Sequence, residues 1–475
     1  MTVPYENDVI AAIATPPGRG AVGIVRLSGS GSVGVVNRIF KKTGKDSRGC
    51  GNSFPSYLKS HRMYYGTISD NGTVIDEVML CCMRVPRSFT REDVVEIYAH
   101  GGLVTMHGVL NAALKNGARL ALPGEFTKRA FLNGRINLAQ AEAVMDLVNA
   151  GSEAARAAGL RQLGGGLSGR VAACRDTILR WLAHIALSID YPEHEEEALN
   201  RQTIISEGQA LLADMRALLK TAEVGRVIRE GIKTAIIGPP NAGKSTLLNA
   251  ILGEDRAIVH ESPGTTRDIL TERVMVGDVP LVLIDTAGLR ETEDPVEQMG
   301  LDKTYDAIKN AELVLYVVDG GGSSKDKTLG ALPPIPRKLL KKFDQNFIVL
   351  INKCDLLPAD EWKTMDEEIP ISAKTGQGLD QLYDAIKRLF LSGMGDAGIK
   401  YFAESDIITR ERHRALLCEA IEYLETALDD FGRGETEDIA AIPLRAAYLS
   451  LGHILGLEYA DDIIDRIFAE FCVGK

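Results

Sequence analysis

A β-branched apolar run ending at Ile237 leads into Gly238-Pro-Pro-Asn-Ala-Gly243-Lys244-Ser245, and the helical run Thr246 to Leu252 follows at once. A glycine-bearing turn between a strand and a helix gathers backbone N–H groups around one point, which is the geometry of a phosphate-binding P-loop. Asn241, Ala242, Gly243 and Thr246 belong to the cradle, Lys244 is placed to reach β- and γ-phosphates, and the Ser245 hydroxyl to bind Mg²⁺. With glycine near 7% of residues, four such fixed positions arise by chance in roughly one or two chains per hundred of this length. A plain glycine turn is the weaker reading.

Three more signals follow in the order a nucleotide site requires. Asp285-Thr286-Ala287-Gly288 closes the run Leu281 to Ile284 and offers a carboxylate to the Mg²⁺ shell with a glycine that can sense a γ-phosphate. Asn352-Lys353-Cys354-Asp355 follows the run Phe347 to Ile351. It is similar to the guanine-reading turn of GTPases, in which the carboxylate, here Asp355, accepts hydrogen bonds from N1–H and the exocyclic amine, a pattern adenine cannot offer. Ser372-Ala373-Lys374 matches the loop that accompanies that turn. Together these segments select GTP over ATP.

Around this block the periodicity changes twice. At about 150 residues per domain, 475 residues suggest about three. Residues 1–122 mix turns with strand-like runs at Val22 to Leu27, Arg62 to Ile68, Val74 to Met83 and Val94 to Ala99, an α+β pattern. Residues 123–228 carry apolar positions three or four apart and read as helical. Residues 229–393 alternate β-branched runs, Leu313 to Val318 among them, with helical stretches, predicting βα units on a largely parallel sheet. Residues 394–475 are helical again. The expected fold is multidomain: an N-terminal α+β domain, and a discontinuous helical domain into which a Ras-like α/β block is inserted.

A net charge of −11 argues against broad, charge-driven nucleic-acid binding, which needs clustered Lys and Arg. Seven cysteines without a CxxC pair suit neither a disulfide framework nor a zinc site. No signal-peptide pattern opens the chain and no apolar run is long enough to span a bilayer, so the expected location is cytoplasmic, without membrane contact.

In Ras-like switches a glutamine after the Asp-Thr-Ala-Gly segment orients the attacking water, and here that position is Leu289, which cannot. Gly264-Thr-Thr-Arg-Asp268, Asn241 and Asp285-Thr-Ala-Gly-Leu-Arg290 resemble the MnmE (TrmE) family of tRNA-modification GTPases, a potassium-activated group. The resemblance implies that His260, Glu261, Ser262, Pro263, Gly264, Thr265 and Thr266 line the nucleotide, with Thr266 joining Ser245 and Asp285 on Mg²⁺. It implies K⁺ held by Asn241, His260, Ser262 and Thr265, where another GTPase places an arginine finger. Glu297 matches the family's catalytic glutamate, acting with Lys244; from the residues alone Glu291 and Glu293 are equal candidates.

The resemblance extends over essentially the whole chain. Ala14-Thr-Pro-Pro-Gly-Arg-Gly20, Gly23-Ile-Val-Arg26, Glu92-Asp-Val-Val-Glu96, His100-Gly-Gly102, Pro123-Gly-Glu-Phe-Thr127 and Ala130-Phe-Leu-Asn-Gly-Arg135 are similar to the family's N-terminal domain. That likeness implies a tetrahydrofolate site, for 5-formyl- or methylene-tetrahydrofolate, formed where two such domains dimerise and contacted by Arg26, Glu96, Arg135 and Lys475. Arg91 and Ala99 stand where the family has glycine. The ending Phe471-Cys472-Val-Gly-Lys475 resembles the family's Cys-x-Gly-Lys tail, in which Cys472 could be reactive if a cation lowered its pKa.

The expectation is therefore a GTP-hydrolysing enzyme that works with a flavin-dependent MnmG-like partner, as a heterotetramer, to add an aminomethyl-type group at C5 of the wobble uridine of certain tRNAs. Two alternatives stay open: a ribosome-assembly or other RNA-associated GTPase switch, which a basic RNA-binding appendage would favour though none is evident, and a folate-dependent one-carbon transferase with a regulatory G domain.

Overall fold

The computed structural model describes residues 8–43, 58–190, 201–254, 272–276, 279–284, 307–320, 346–356, 368–390, 399, 405–458, 461–469, 471 and 474. The chain forms two compact units, Met1–Met145 with Leu455–Lys475, and Asp146–Ile454.

In the first unit the strands are β1 (Val9–Ile13), β2 (Val22–Ser28), β3 (Phe40–Lys42), β4 (Arg62–Asp70), β5 (Thr73–Met83), β6 (Val94–His100) and β7 (Ala118–Leu120). They build one sheet in the order β3-β4-β5-β6-β2-β1-β7, antiparallel except for the β1–β7 pair. Two-residue alternation sends Val25, Leu27, Leu80, Cys82, Val95 and Ile97 to one face. There they meet α1 (Ser32–Ile39) and α2 (Leu103–Lys115) through Val36, Ile39 and Val109. The opposite face carries Ile10 and Ala12, which pack on Phe126 of α3 (Glu125–Leu132), and it also carries Arg26 and Glu96, paired directly across β2 and β6. α4 (Leu138–Val148) contributes Leu138, Ala141 and Met145 to a cluster with Ile464, Phe468 and Phe471, so residues far apart in sequence share this small core.

α3 anchors a partly buried charge network. Arg129, 2% exposed, donates to Asp8, Glu92 and Glu125, and Arg119 donates to Asp8 and Glu125. Burial pushes Glu125 up, but hydrogen bonds from Arg119, the Leu122 N–H and Arg129 together outweigh it and hold the carboxyl below its usual range.

The second unit contains α5 (Glu153–Leu163), α6 (Gly166–Asp190), α7 (Arg201–Leu219) and α8 (Ala222–Glu230). Ser152 caps α5 by accepting from the Ala155 N–H. The sheet follows, with β8 (Ile232–Ile237), β9 (Glu272–Val276), β10 (Val279–Leu283), β11 (Leu313–Asp319), β12 (Asn346–Asn352) and β13 (Glu368–Pro370) in the order β13-β12-β11-β8-β10-β9. All pairs are parallel except β9–β10. α9 (Lys244–Glu254) and α10 (Leu379–Phe390) accompany it, and α11 (Glu411–Arg433) and α12 (Glu437–Leu455) follow among the described residues. One apolar core joins Ala155, Val227 and Ile228 to Leu281, Leu315 and Ile386, so helical segment and sheet are packed together here. No helix among the described residues is long and apolar enough to cross a membrane.

Strand runs read from the sequence fall within one or two residues of β2, β4, β5, β6, β11 and β12. The short strands β3, β7 and β13, and helices α1 and α2 inside the α+β region, carry too little periodic pattern to be read individually.

Candidate functional site: a nucleotide cradle and a charged sheet face

The P-loop leaves β8 at the carboxyl ends of the parallel strands, where open α/β sheets hold their ligands. Its glycines are required by closeness as well as by conformation. Gly238 has φ 151° and a Cβ there would stand 2.2 Å from the Val317 carbonyl oxygen. Gly243 has φ 90° and a Cβ would stand 2.1 Å from Nδ2 of Asn352. Asn241, exposed at the loop's tip, adopts φ 63°, a left-handed conformation that asparagine tolerates better than most residues. The Lys244 ammonium donates to the Gly238 carbonyl at 2.9 Å and the Pro239 carbonyl at 2.8 Å, and burial pushes its pKa below the ordinary value. Ser245 and Thr246 sit exposed in the first turn of α9, where a hydroxyl and the helix N-terminus can meet an Mg²⁺-bound phosphate chain.

The base-reading loops are tied to this cradle by one side chain. Asn352, 2% exposed at the end of β12, donates from Nδ2 to the Ala242 carbonyl at 2.8 Å and accepts at Oδ1 from the Ala373 N–H at 2.9 Å. P-loop and Ser-Ala-Lys loop are thereby held at a set separation. The Ser372 hydroxyl donates to Oδ1 of Asp355 at 2.7 Å and orients the carboxylate, which is exposed. Lys353, at φ 67°, donates to Oδ2 of Asp319 at 2.6 Å, and Lys374 is exposed. Thus Asn241, Ala242, Gly243, Lys244, Asn352, Asp355, Ser372 and Ala373, distant in sequence, converge. His260, Glu261, Ser262, Pro263, Gly264, Thr265, Thr266, Asp285, Thr286, Ala287, Gly288 and Glu297 lie outside the described residues.

On the first unit's sheet, Arg26 donates from Nε to Oε1 of Glu96 at 2.8 Å, and the Tyr98 hydroxyl donates to Oε2 at 2.6 Å. Burial, and then the hydrogen bond to Glu96, push the Tyr98 phenol well above its usual pKa, so it stays a donor. Arg26 also donates to the Gly474 carbonyl at 3.3 Å. Gly474 has φ 94°, and a Cβ would stand 2.5 Å from the Ile13 carbonyl oxygen, so Gly474 itself is seated tightly beside the pair. Arg135 lies over the Phe89 ring at 4.8 Å and donates to the Phe89 carbonyl at 2.8 Å. Lys475 and Cys472 lie outside the described residues. Cys82 and Cys354 are buried, and Cys81 and Cys174 are partly so; burial pushes all four thiols up, as for inert packing cysteines.

Sequence reasoning passed over two groups. Tyr98 was findable, because it stands two residues from Glu96 and a strand's period of two puts both on one face. The bridging role of Asn352 was not, since its partners at Ala242 and Ala373 are set by sheet packing rather than by spacing.

A P-loop clamped to an Asn-Lys-x-Asp turn and a Ser-Ala-Lys loop at the carboxyl edge of a parallel sheet defines a guanine-nucleotide-binding P-loop protein. The family description "MnmE helical domain" matches residues 138–472, and "GTP-binding protein TrmE N-terminus" matches residues 9–135. The tRNA modification GTPase MnmE of Listeria welshimeri is 43% identical over 99% of this chain and 100% of its own length, and that of Acetivibrio thermocellus 41% identical over the same shares. The solved G domain of the T. maritima FeoB iron transporter covers 33% of this chain and 96% of its own, at 23% identity and TM-score 0.24, too slight a likeness to argue from. The chain belongs to the MnmE family of tRNA modification GTPases. It is a GTP-hydrolysing enzyme of tRNA modification that binds guanine nucleotide with Mg²⁺.

Proposed function

We propose that this enzyme hydrolyses GTP in a K⁺-dependent manner through pairing of two G domains, and that, with an MnmG-like FAD protein, it directs an aminomethyl or carboxymethylaminomethyl group to C5 of the wobble uridine of certain tRNAs. The observation that supports the nucleotide half is the Asn352 bridge, which ties Ala242 of the P-loop to Ala373 of the loop whose Ser372 orients Asp355. Asn241 suits a cation ligand, because its exposed amide stands on a left-handed turn beside the cradle. With His260, Ser262 and Thr265 it would hold K⁺, which supplies positive charge between the β- and γ-phosphates when bound. Ser245, Thr266 and Asp285 would hold Mg²⁺. Lys244 would bind the phosphates, and Glu297 would position water for attack.

The folate half is supported by the fit between group and residues. A pterin presents an N–H and amine edge to an acceptor such as Glu96, which Arg26 and Tyr98 keep oriented, and the tetrahydrofolate supplies the one-carbon unit when bound. Arg135 and Lys475 would contact the rest of the ligand, and Cys472, on the same tail, is a candidate reactive thiol whose covalent role is left open. The reading includes homodimerisation through residues 1–122, a helical domain of 123–228 and 394–475, a G domain of 229–393, and a cytoplasmic location. It is favoured over a ribosome-assembly switch because the match spans both flanking segments.

The test is steady-state GTP hydrolysis in KCl and in NaCl at equal ionic strength. Strong stimulation by K⁺ is expected. Equal rates would leave a GTPase and remove the cation and the pairing.

A further inference from the structure

Arg91 occupies a left-handed backbone position, φ 56°, where a side chain costs on the order of 1 kcal/mol relative to glycine. Its guanidinium donates from Nη1 to the Asn133 carbonyl at 2.9 Å, which lays it along the turn that presents Arg135. The same Nη1 lies 3.5 Å from where a Cβ on Gly134, the neighbour of Arg135, would be. Arg135 in turn is anchored to the Phe89 carbonyl, two residues before Arg91, so the two loops exchange cations. Both arginines are exposed, and among the described residues no carboxylate pairs with either. Partial burial, and then the positive charge of Arg91, press Arg135 below its ordinary guanidinium pKa.

Two like charges side by side, one on an unfavourable backbone, are a local cost that a bound anion would offset. Each guanidinium commits one N–H to a carbonyl and keeps the rest of its fork available for a carboxylate. We infer that Arg91 and Arg135 form a paired anion site for a ligand bearing several carboxylates, the γ-linked polyglutamate tail of a reduced folate. This rests on the folate reading of the first unit and sharpens it. Arg135 alone suits one carboxylate; the second guanidinium gives this chain selectivity for a longer acidic tail.

The experiment is calorimetric titration of the full chain, at fixed ionic strength, with 5-formyltetrahydrofolate carrying either one glutamate or five. Wild type is expected to bind the pentaglutamate at least about tenfold more tightly than the monoglutamate. Arg91→Gly suits the left-handed backbone and should fold; it is expected to reduce the ratio to about twofold or less, with monoglutamate affinity and GTP turnover unchanged. Equal binding of the two folates by wild type, or an undiminished preference in Arg91→Gly, overturns the paired site while leaving the folate reading intact. No binding of either folate by wild type overturns the folate reading itself. Loss of tRNA affinity in Arg91→Gly with the folate ratio unchanged would assign the pair to RNA phosphates, and the proposal falls.

Discussion

Replacing Asn352 with alanine removes two hydrogen bonds at once, to the Ala242 carbonyl and from the Ala373 N–H, in a place 2% exposed where water cannot easily substitute. Each bond contributes about 0.5–1.5 kcal/mol net, and a buried backbone group left without a partner costs about 1–3 kcal/mol. Some relaxation will occur, because removing the Asn352 amide, which stands close against Gly243, frees space into which the loop can close. A combined effect of about 2–4 kcal/mol is therefore expected, divided between loop order and ligand affinity. If most of it appears as affinity, guanine-nucleotide binding weakens by roughly 30- to 800-fold. Fluorescent GDP titration reads the affinity, and thermal melting of the nucleotide-free protein reads the remainder. Affinity within threefold of wild type together with an unchanged melting temperature would refute the reasoning that one side chain couples the two loops.

Asp355→Asn replaces the acceptor that Ser372 orients, and competition between GTP and ATP should show guanine preference falling by at least about tenfold; retained selectivity would mean the base is read elsewhere. Glu297→Ala should leave GTP binding near normal and lower turnover by about 10² to 10⁴, which single-turnover hydrolysis can check. Arg26→Ala should abolish 5-formyltetrahydrofolate binding by calorimetry with GTP turnover intact. In the first unit, Glu125 and Asp8 have folded pKa values below their ordinary ones, so their stabilisation is full above the ordinary carboxylate range and is lost as pH falls through the lower folded values. Acid titration of wild type and Arg129→Met by circular dichroism should show the variant losing that acid-dependent stability, and an identical pH dependence would count against the network.

Much of the fold was legible because β-branched runs of the G domain end at sharp turn chemistry. β8, β10 and β12 each run toward a segment whose residue types are dictated by phosphate, γ-phosphate or base, so pattern and motif reinforce each other. The α+β unit offers less. β3 and β7 have three residues each, below the length at which a period of two can be distinguished from coil, and α1 is eight residues with no side-chain cap; β13, at the edge of the other sheet, is equally short.

The candidate sites divide along the same physical line. Residues that touch a nucleotide had to be the types they are, since a phosphate demands N–H groups and lysine, and guanine demands a carboxylate; chemistry constrains identity, and identity can be read in a sequence. Residues that hold those groups in place are constrained only by where packing brings them. The Arg26–Glu96 pair illustrates the boundary: either residue alone is an ordinary charged strand position, and only the register β2 against β6 places them opposite each other. Arg91 lies beyond it. Its departure from glycine was visible in the sequence, but the left-handed φ and the neighbouring Arg135, which together turn that departure into a candidate anion site, required the fold. A departure at a position of constrained backbone is thus the kind of sequence signal that acquires chemical meaning only when its spatial neighbour carries the same charge.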